Sequence, residues 1–548
     1  MKLGSSQTSI LLSFVFLIFV TLCHSWPLST SNRWIVDDKT GSRLKLTCVN
    51  WPGHVHVMIP EGLQKKPLNQ IAANITSMGF NCVRLTYAIY MLTRPDEYGN
   101  LTVAQSLEQW NLNNATRDMK IYNPEMLDLK LIDAQKAVVD ALHKENIMVV
   151  LDNHVSLPQW CCSFDDGNGF FGDKYFHPEE WVQGLTTVAQ HYKGHPAVIG
   201  MSMRNEIRGP RENEEDWYKH MKEGAEAIHG ANPDLLVLVS GLSYDTNLSF
   251  VKEKPLDVDL GNKLVYEAHW YSFGDSDDDW KNQPNVMCNT VTDKFQNLSG
   301  GFIISGEKPY PLFLSEFGAD QGFQNEKDNK YITCLMAYVA DKDLDWALWT
   351  LQGSYLVREG QIDTDETYGM FDSDWQNLRN PDMQVRLQLI KQTIQDPHSK
   401  VPEYNILYHP LSGQCIQVGG GGKLFVSYCN YSTRWSYIGD GGGNGSPIGL
   451  FGTSYCLNAV GEGLPVRLSN DCKSERSLWK PVSGSNLHFA AKDGRGKTLC
   501  LDWDPDSSSN STVYTQQCLC MDDDLNDVPN CGDNPQKQWF KLVKSNMK

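Results

Sequence analysis

Eight short apolar runs constrain this chain more than any other feature. They occupy residues 44–49, 82–85, 147–151, 198–203, 235–239, 264–266, 311–314 and 346–349. Several are apolar almost throughout. A strand wetted on one face alternates, so unbroken apolar runs point to parallel strands covered on both faces. Between them lie longer stretches with helical periodicity, such as 129–145 and 180–192. Eight strands alternating with helices over about 360 residues is the arithmetic of an α/β fold of the (β/α)8 (TIM) barrel type with insertions. A doubly wound open sheet satisfies the same periodicity.

The texture changes near residue 395. Residues 396–402 carry the prolines and polarity of a linker, and beyond them Gly, Ser, Asn and Cys rise while helical periodicity vanishes. A unit then repeats: Cys415, Cys429, Trp435; Cys456, Cys472, Trp479; Cys500, Cys518, Trp539, the third delayed by an insertion carrying Cys520 and Cys531. Three-fold repetition of a short β unit that cannot bury its own core indicates a pseudo-symmetric, all-β trefoil. The expected organisation is a signal peptide over 1–25, a barrel over 26–395, a linker over 396–402 and a β-trefoil over 403–548.

The signal peptide rests on Lys2, the apolar run 10–20 and the small or polar residues around Cys23-His24-Ser25. A core this short reads as a cleaved targeting segment rather than a membrane span. Cysteine usage agrees. Setting Cys23 aside leaves six (Cys48, Cys82, Cys161, Cys162, Cys288, Cys334) in the first part and eight in the second. Even counts suit disulfides made in an oxidising compartment. Glycosylation sequons at Asn74, Asn100, Asn114, Asn247, Asn297, Asn430, Asn444 and Asn510 fit the same secreted destination. The net charge of −18 opposes binding to nucleic acid or anionic lipid, whereas a neutral poly- or oligosaccharide meets no such barrier. No Cys/His spacing resembles a zinc site, and no metal or cofactor is expected.

The chemistry falls where strands end. The run at 199–206 finishes on Asn205 and Glu206, and the run at 311–316 finishes on Glu316. In a barrel the functional groups sit at the C-terminal ends of strands. A carboxylate leaving a buried strand carries a desolvation cost unless it is paired or used. Two of them meet the minimum requirement for glycosidic-bond cleavage, one to protonate the leaving oxygen and one to attack the anomeric carbon.

Over residues 40–360 the chain resembles glycoside hydrolase family 5. The matching elements come in the family's order: Asn50-Trp-Pro-Gly53, Gly79-Phe-Asn-Cys-Val-Arg84-Leu85, Val150-Leu-Asp-Asn-His154, Asn205-Glu206, His269-Trp-Tyr271, Glu316-Phe-Gly318 and Trp349. The resemblance implies a retaining hydrolase of β-glycosidic bonds, with Glu206 as acid/base, Glu316 as nucleophile and the two carboxyl groups about 5–5.5 Å apart. It implies that Arg84 and Tyr271 support Glu316, that Asn205 meets the sugar 2-hydroxyl, that His154 and His269 position substrate or carboxylates, and that Trp349 offers a flat face to a pyranose. Trp160 and Trp270 are read as packing residues. A carbohydrate-binding protein whose barrel no longer turns over is the alternative.

The three repeats resemble ricin-type lectins. That resemblance implies the intra-repeat disulfides Cys415–Cys429, Cys456–Cys472 and Cys500–Cys518, with Cys520–Cys531 closing the insertion. Only the third repeat keeps the Asp of such sugar sites, Asp502, so both a glycan ligand there and a purely structural trefoil stay open.

Overall fold

The computed structural model describes residues 27–322, 325–439, 445–505, 511–521, 531 and 534–548. Residues 1–25, expected from sequence to be a signal peptide, and the sequons at Asn444 and Asn510 fall outside them.

Each of the eight apolar runs gives one strand: β1 Thr47–Trp51, β2 Cys82–Ala88, β3 Met148–Val155, β4 Val198–Ser202, β5 Leu236–Val239, β6 Leu264–Trp270, β7 Leu312–Phe317 and β8 Asp345–Leu348. All neighbours pair in parallel, and β8 closes onto β1 through Trp346 opposite Thr47, which excludes the open sheet. Every residue of all eight strands is buried, as expected when helices cover the outside and side chains fill the inside. The helical stretches read at 129–145 and 180–192 are the helices Leu131–Lys144 and Pro178–His191.

The barrel interior is graded along its axis. Successive side chains alternate between the two faces of a strand. On the inward face, Cys82 precedes Arg84 on β2, Met148 and Val150 precede Asp152 and His154 on β3, and Val265 precedes Glu267 and His269 on β6. The first of each set belongs to an apolar cluster at the N-terminal end, where the Cys48–Cys82 disulfide and the hairpin Leu28–Ser31/Trp34–Asp37 sit. The polar members crowd the C-terminal end. After β8 comes an antiparallel hairpin, β9 Ser354–Arg358 and β10 Gln361–Asp365.

From Tyr404 onward the described chain forms antiparallel sheets. Trp435, Trp479 and Trp539 are each fully buried, and the disulfides Cys415–Cys429, Cys456–Cys472, Cys500–Cys518 and Cys520–Cys531 are present. Residues 396–402 run docked between the two parts: the Asp396 N–H donates to Asn546 Oδ1 at 2.9 Å, and the Ser399 hydroxyl to the Asn546 carbonyl. The helix Glu326–Lys342 is buried from Lys330 to Ala340 because the barrel covers one side and the β region the other. Gln536 Nε2 donates to Thr333 Oγ1 on that helix at 3.0 Å, and Asn285 Nδ2 donates to the Cys520 carbonyl at 2.7 Å.

Trp539, Tyr404, Tyr408, Leu487 and Val543 belong to the same continuous apolar core as the barrel helices. Truncating a buried Trp to Ala costs about 3–5 kcal/mol. Trp539→Ala is therefore expected to lower the temperature at which the barrel helices unfold, along with that of the β region. A helix-unfolding midpoint, read by far-ultraviolet circular dichroism, that stays at the wild-type value would mean the two parts unfold independently.

Candidate active site

Two local distortions turn Glu206 and Glu316 into the barrel. Phe313 faces inward, so strict alternation would send Glu316 outward. In both ladders β7 carries one extra residue: Leu314 pairs with Ala268 and Trp346, while Glu316 pairs with His269 and Phe317 with Leu348. The bulge at Ser315 shifts the alternation by one, and Glu316 joins the inward row. Glu206 follows β4 with φ +42°, and its N–H donates to Asp245 Oδ2 at 3.1 Å. Asp245 itself ends three successive left-handed residues, Ser243, Tyr244 and Asp245 (φ 53°, 60° and 57°). Such backbone costs free energy in the absence of glycine and persists where its surroundings hold it. Here the Ser243 N–H donates to Glu212 Oε1 and the Tyr244 N–H to the Ile207 carbonyl, while the His269 N–H donates to the Asp245 carbonyl.

Arg84 lies fully buried beneath the two glutamates. Its Nη1 donates to Glu316 Oε1 at 2.8 Å and to Asn50 Oδ1 at 3.0 Å; its Nη2 donates to Asn205 Oδ1 at 3.0 Å and meets Asp152 Oδ1 at 3.0 Å. The Tyr271 hydroxyl donates to the other Glu316 oxygen at 3.1 Å. His269 Nδ1 stands 3.0 Å from Glu206 Oε1 and 3.8 Å from Glu316 Oε2, with Nε2 3.4 Å from Asp245. One oxygen each of Glu206 and Glu316 and one His269 nitrogen lie within 4.8 Å of one another. His154 Nδ1 is 2.6 Å from Asp152 Oδ2, and Asn205 Nδ2 is 3.3 Å from His154 Nε2. Trp349 stacks on His154, with ring centroids 5.6 Å apart and planes 20° apart.

Burial pushes Glu206 up to about 7, with Arg208 and Arg84 pulling against it. Burial pushes Glu316 up to about 7 as well; His269 and Arg84 oppose the rise, and the Glu206 charge adds to it. The pair therefore shares a proton near neutrality. Arg84 and Tyr271 donate hydrogen bonds to Glu316, whereas His269 stands nearest Glu206 and the Arg208 and Arg84 charges act on it from further off. Burial and the Arg84 charge hold His154 well below the usual imidazole range, so it is neutral. A neutral His154 donates from Nδ1 to Asp152 and accepts the Asn205 N–H at Nε2. Burial works against the Arg84 charge, but Asp152, Glu316 and Glu267 around it prevail and keep it protonated.

These groups open into a cleft of about 710 Å³, lined by His154, Asn205, Glu206, His269, Tyr271, Glu316 and Trp349. Seven of the eight residues expected there from sequence line it, and Arg84 lies under its floor. Asp502 is elsewhere, at the end of the strand Thr498–Asp502. It is only 7% exposed, and its Oδ2 accepts a hydrogen bond from Gln538. Trp270 packs on Phe295 as expected. Trp160 packs on Arg358 and Tyr355 and also forms part of the cleft wall beside the disulfide-bonded Cys161–Cys162. Sequence reasoning missed Asp152 and Asp245. Asp152 sits two residues before His154 on the same inward face and was legible from alternation, but nothing in sequence marked Asp245.

Comparison with known proteins places these residues in context. The family model described as cellulase (glycosyl hydrolase family 5) matches residues 38–354. A glycosyl hydrolase 5 family protein of Chamaecyparis obtusa is 45% identical over 98% of this chain and 96% of its own length. An endoglucanase of Paenibacillus polymyxa is 22% identical over 67% of this chain and 87% of its own. Among solved structures, the catalytic domain of the major endoglucanase from Xanthomonas campestris pv. campestris superposes with a TM-score of 0.53 at 20% identity, covering 66% of this chain and 99% of that one.

Proposed function

This chain belongs to glycosyl hydrolase family 5, and from that premise we propose that it hydrolyses β-linked glucan chains with retention of anomeric configuration. Glu316 attacks the anomeric carbon while Glu206 protonates the departing oxygen; Glu206 then takes a proton from the water that releases the sugar from Glu316. The observation that carries this reading is the unequal support of two nearby carboxylates: Arg84 and Tyr271 hold the charge on Glu316, and Glu206 keeps the proton. One oxygen of each carboxylate lies within 4.8 Å of one of the other, which supports the close pairing of retaining enzymes over the wider spacing of inverting ones.

The supporting residues follow from the same contacts. The Asn205 carbonyl oxygen is taken by Arg84 and one amide hydrogen by His154, while the second faces the Cys161 and Cys162 sulfurs, weak acceptors that a sugar 2-hydroxyl would replace. That bond strengthens as positive charge develops on the ring. Trp349, steadied by His154, faces the reacting pyranose with an apolar surface. A glucan substrate draws its support from the endoglucanase named among the relatives. Secretion belongs to the proposal and is supported by the 1–25 segment and by disulfides in both parts of the chain. The β region is read as a three-fold trefoil in which the covered Asp502, held by Gln538, is structural. Incubating the purified protein with soluble β-glucans and β-mannans tests the substrate. Reducing ends are expected from the glucans, and release from mannan alone would overturn that assignment.

The pH profile follows from the protonation states. Activity needs Glu316 ionised and Glu206 protonated, so it falls at low pH as Glu316 gains a proton and at high pH as Glu206 loses one. Tyr271→Phe removes a hydrogen bond to the charged form of Glu316, which disfavours that charge. A hydrogen bond to a charged group contributes about 1.5–3 kcal/mol, so the acid limb of kcat/KM should move up by about one to two pH units. The alkaline limb should stay in place. An acid limb that does not move would contradict the role of Tyr271.

A further inference from the structure

Three loops at the C-terminal end of the barrel interlock on one side of the cleft. The residues after β3 bring Trp160, whose indole lies under the Arg358 guanidinium of β9 at 3.7 Å and meets the Tyr355 ring edge-on at 5.2 Å. Glu366 clamps both partners from below, accepting the Tyr355 hydroxyl at 2.8 Å and pairing with Arg358 at 3.5 Å. The loop after β1 ties into each: Glu61 Oε2 accepts the Leu356 N–H at 2.7 Å, Lys65 donates to Ser354 Oγ at 3.0 Å, and His56 Nδ1 is 3.2 Å from the Pro158 carbonyl. The barrel order is β8-β1-β2-β3. A bridge from the β3 loop to the hairpin after β8 therefore crosses over the ends of β1 and β2.

Nothing passes through that bridge. A pyranose threading between Trp160 and Arg358 needs a contact distance of about 3.5–4.0 Å on each of its faces, and the two groups already touch. At the foot of the wall, both sulfurs of Cys161–Cys162 stand against Asn205 Nδ2, at 3.8 and 3.7 Å. Asn205, His154 and Trp349 are the contacts assigned above to the sugar whose anomeric carbon is attacked. The wall thus bounds the side from which that sugar's own chain, toward the non-reducing end, would extend. The opposite side is different. The loops after β5 and β6 contribute Ser243, Tyr244 and Thr246, together with Phe273, which is 69% exposed and stacked on Tyr271 at 4.7 Å.

We propose that the Trp160–Arg358 wall makes the cleft blind on the non-reducing side, so that the enzyme removes short sugars from the non-reducing ends of β-glucan chains while the rest of the chain leaves over Tyr244 and Phe273. This rests on the β-glucan hydrolase reading and deepens it into a mode of attack. The wild-type protein is tested first, on a long soluble β-glucan with viscosity and reducing ends followed together, and on cellopentaose labelled at its reducing end. Reducing ends should rise with little loss of viscosity, and the label should stay on the longer fragment beside an unlabelled mono- or disaccharide. Arg358→Ala and Trp160→Ala should raise the viscosity lost per bond cleaved about tenfold by letting chains cross the opened wall. A wild-type enzyme that thins the polymer as fast per bond as random internal cleavage would overturn the wall, leaving the β-glucan hydrolase reading intact. Label released on the shortest fragments would overturn it in the same way. Absence of any reducing-end release from β-glucans would overturn the underlying reading together with the inference.

Discussion

Glu316→Ala is expected to lower kcat on β-glucan by a factor on the order of 10⁵–10⁶, the scale seen when a hydrolase loses its attacking group. The substitution removes the atom that bonds to the anomeric carbon, so no remaining side chain can complete the first displacement. Its structural cost should be small. Arg84 loses one counter-ion but keeps Asp152 at 3.0 Å and its hydrogen bonds to Asn50 and Asn205. The variant is therefore expected to unfold near the wild-type temperature, which separates lost chemistry from lost fold. Substantial turnover in a well-folded Glu316→Ala protein would move the attack to another group.

Glu206→Ala should discriminate between substrates. Leaving groups that need a proton depend on Glu206, and general acid catalysis contributes about 10²–10⁴-fold. Hydrolysis of β-glucan should fall by that factor. An aryl glycoside whose phenolate departs unaided should form its glycosyl-enzyme almost normally, with kcat/KM reduced less than about tenfold. The second step then lacks its base, so kcat should fall more than kcat/KM, and added azide, which needs no base, should restore it. Equal losses of kcat/KM on both substrates would contradict the acid/base assignment. The assignment draws on burial, which lifts Glu206 to about 7, and on the Arg84 and Tyr271 hydrogen bonds, which go to Glu316 and not to Glu206.

The barrel was legible because its strands are buried on both faces and so appear as unbroken apolar runs. The hairpin after β8 was not. Its second strand, Gln361–Asp365, is polar and mostly exposed, and its turn places Glu359 and Gly360 both at positive φ without the Asn-Gly pair that usually marks such a turn. The inward row up to Asp152 and His154 follows simple alternation, yet Glu316 joins that row only through the bulge at Ser315, which no residue type announces. Asp245 was hidden for a related reason: the left-handed run that aims it contains no glycine. Trp160 was read as packing, but what it packs on was not legible, because Arg358 stands far along the chain and only the fold joins them. Likewise 396–402 has a linker's composition, but its docking against Asn546 depends on where the chain ends in space.

Retention through Glu316 is tested most directly by the anomeric form of the sugar first released from a β-glucan or β-glycoside, read by proton NMR before mutarotation sets in. The two-step displacement on closely spaced carboxylates predicts the β-anomer first, with the α-anomer growing in later. An α-anomer appearing first would mean a single displacement by water, and the nucleophile role of Glu316 would be wrong.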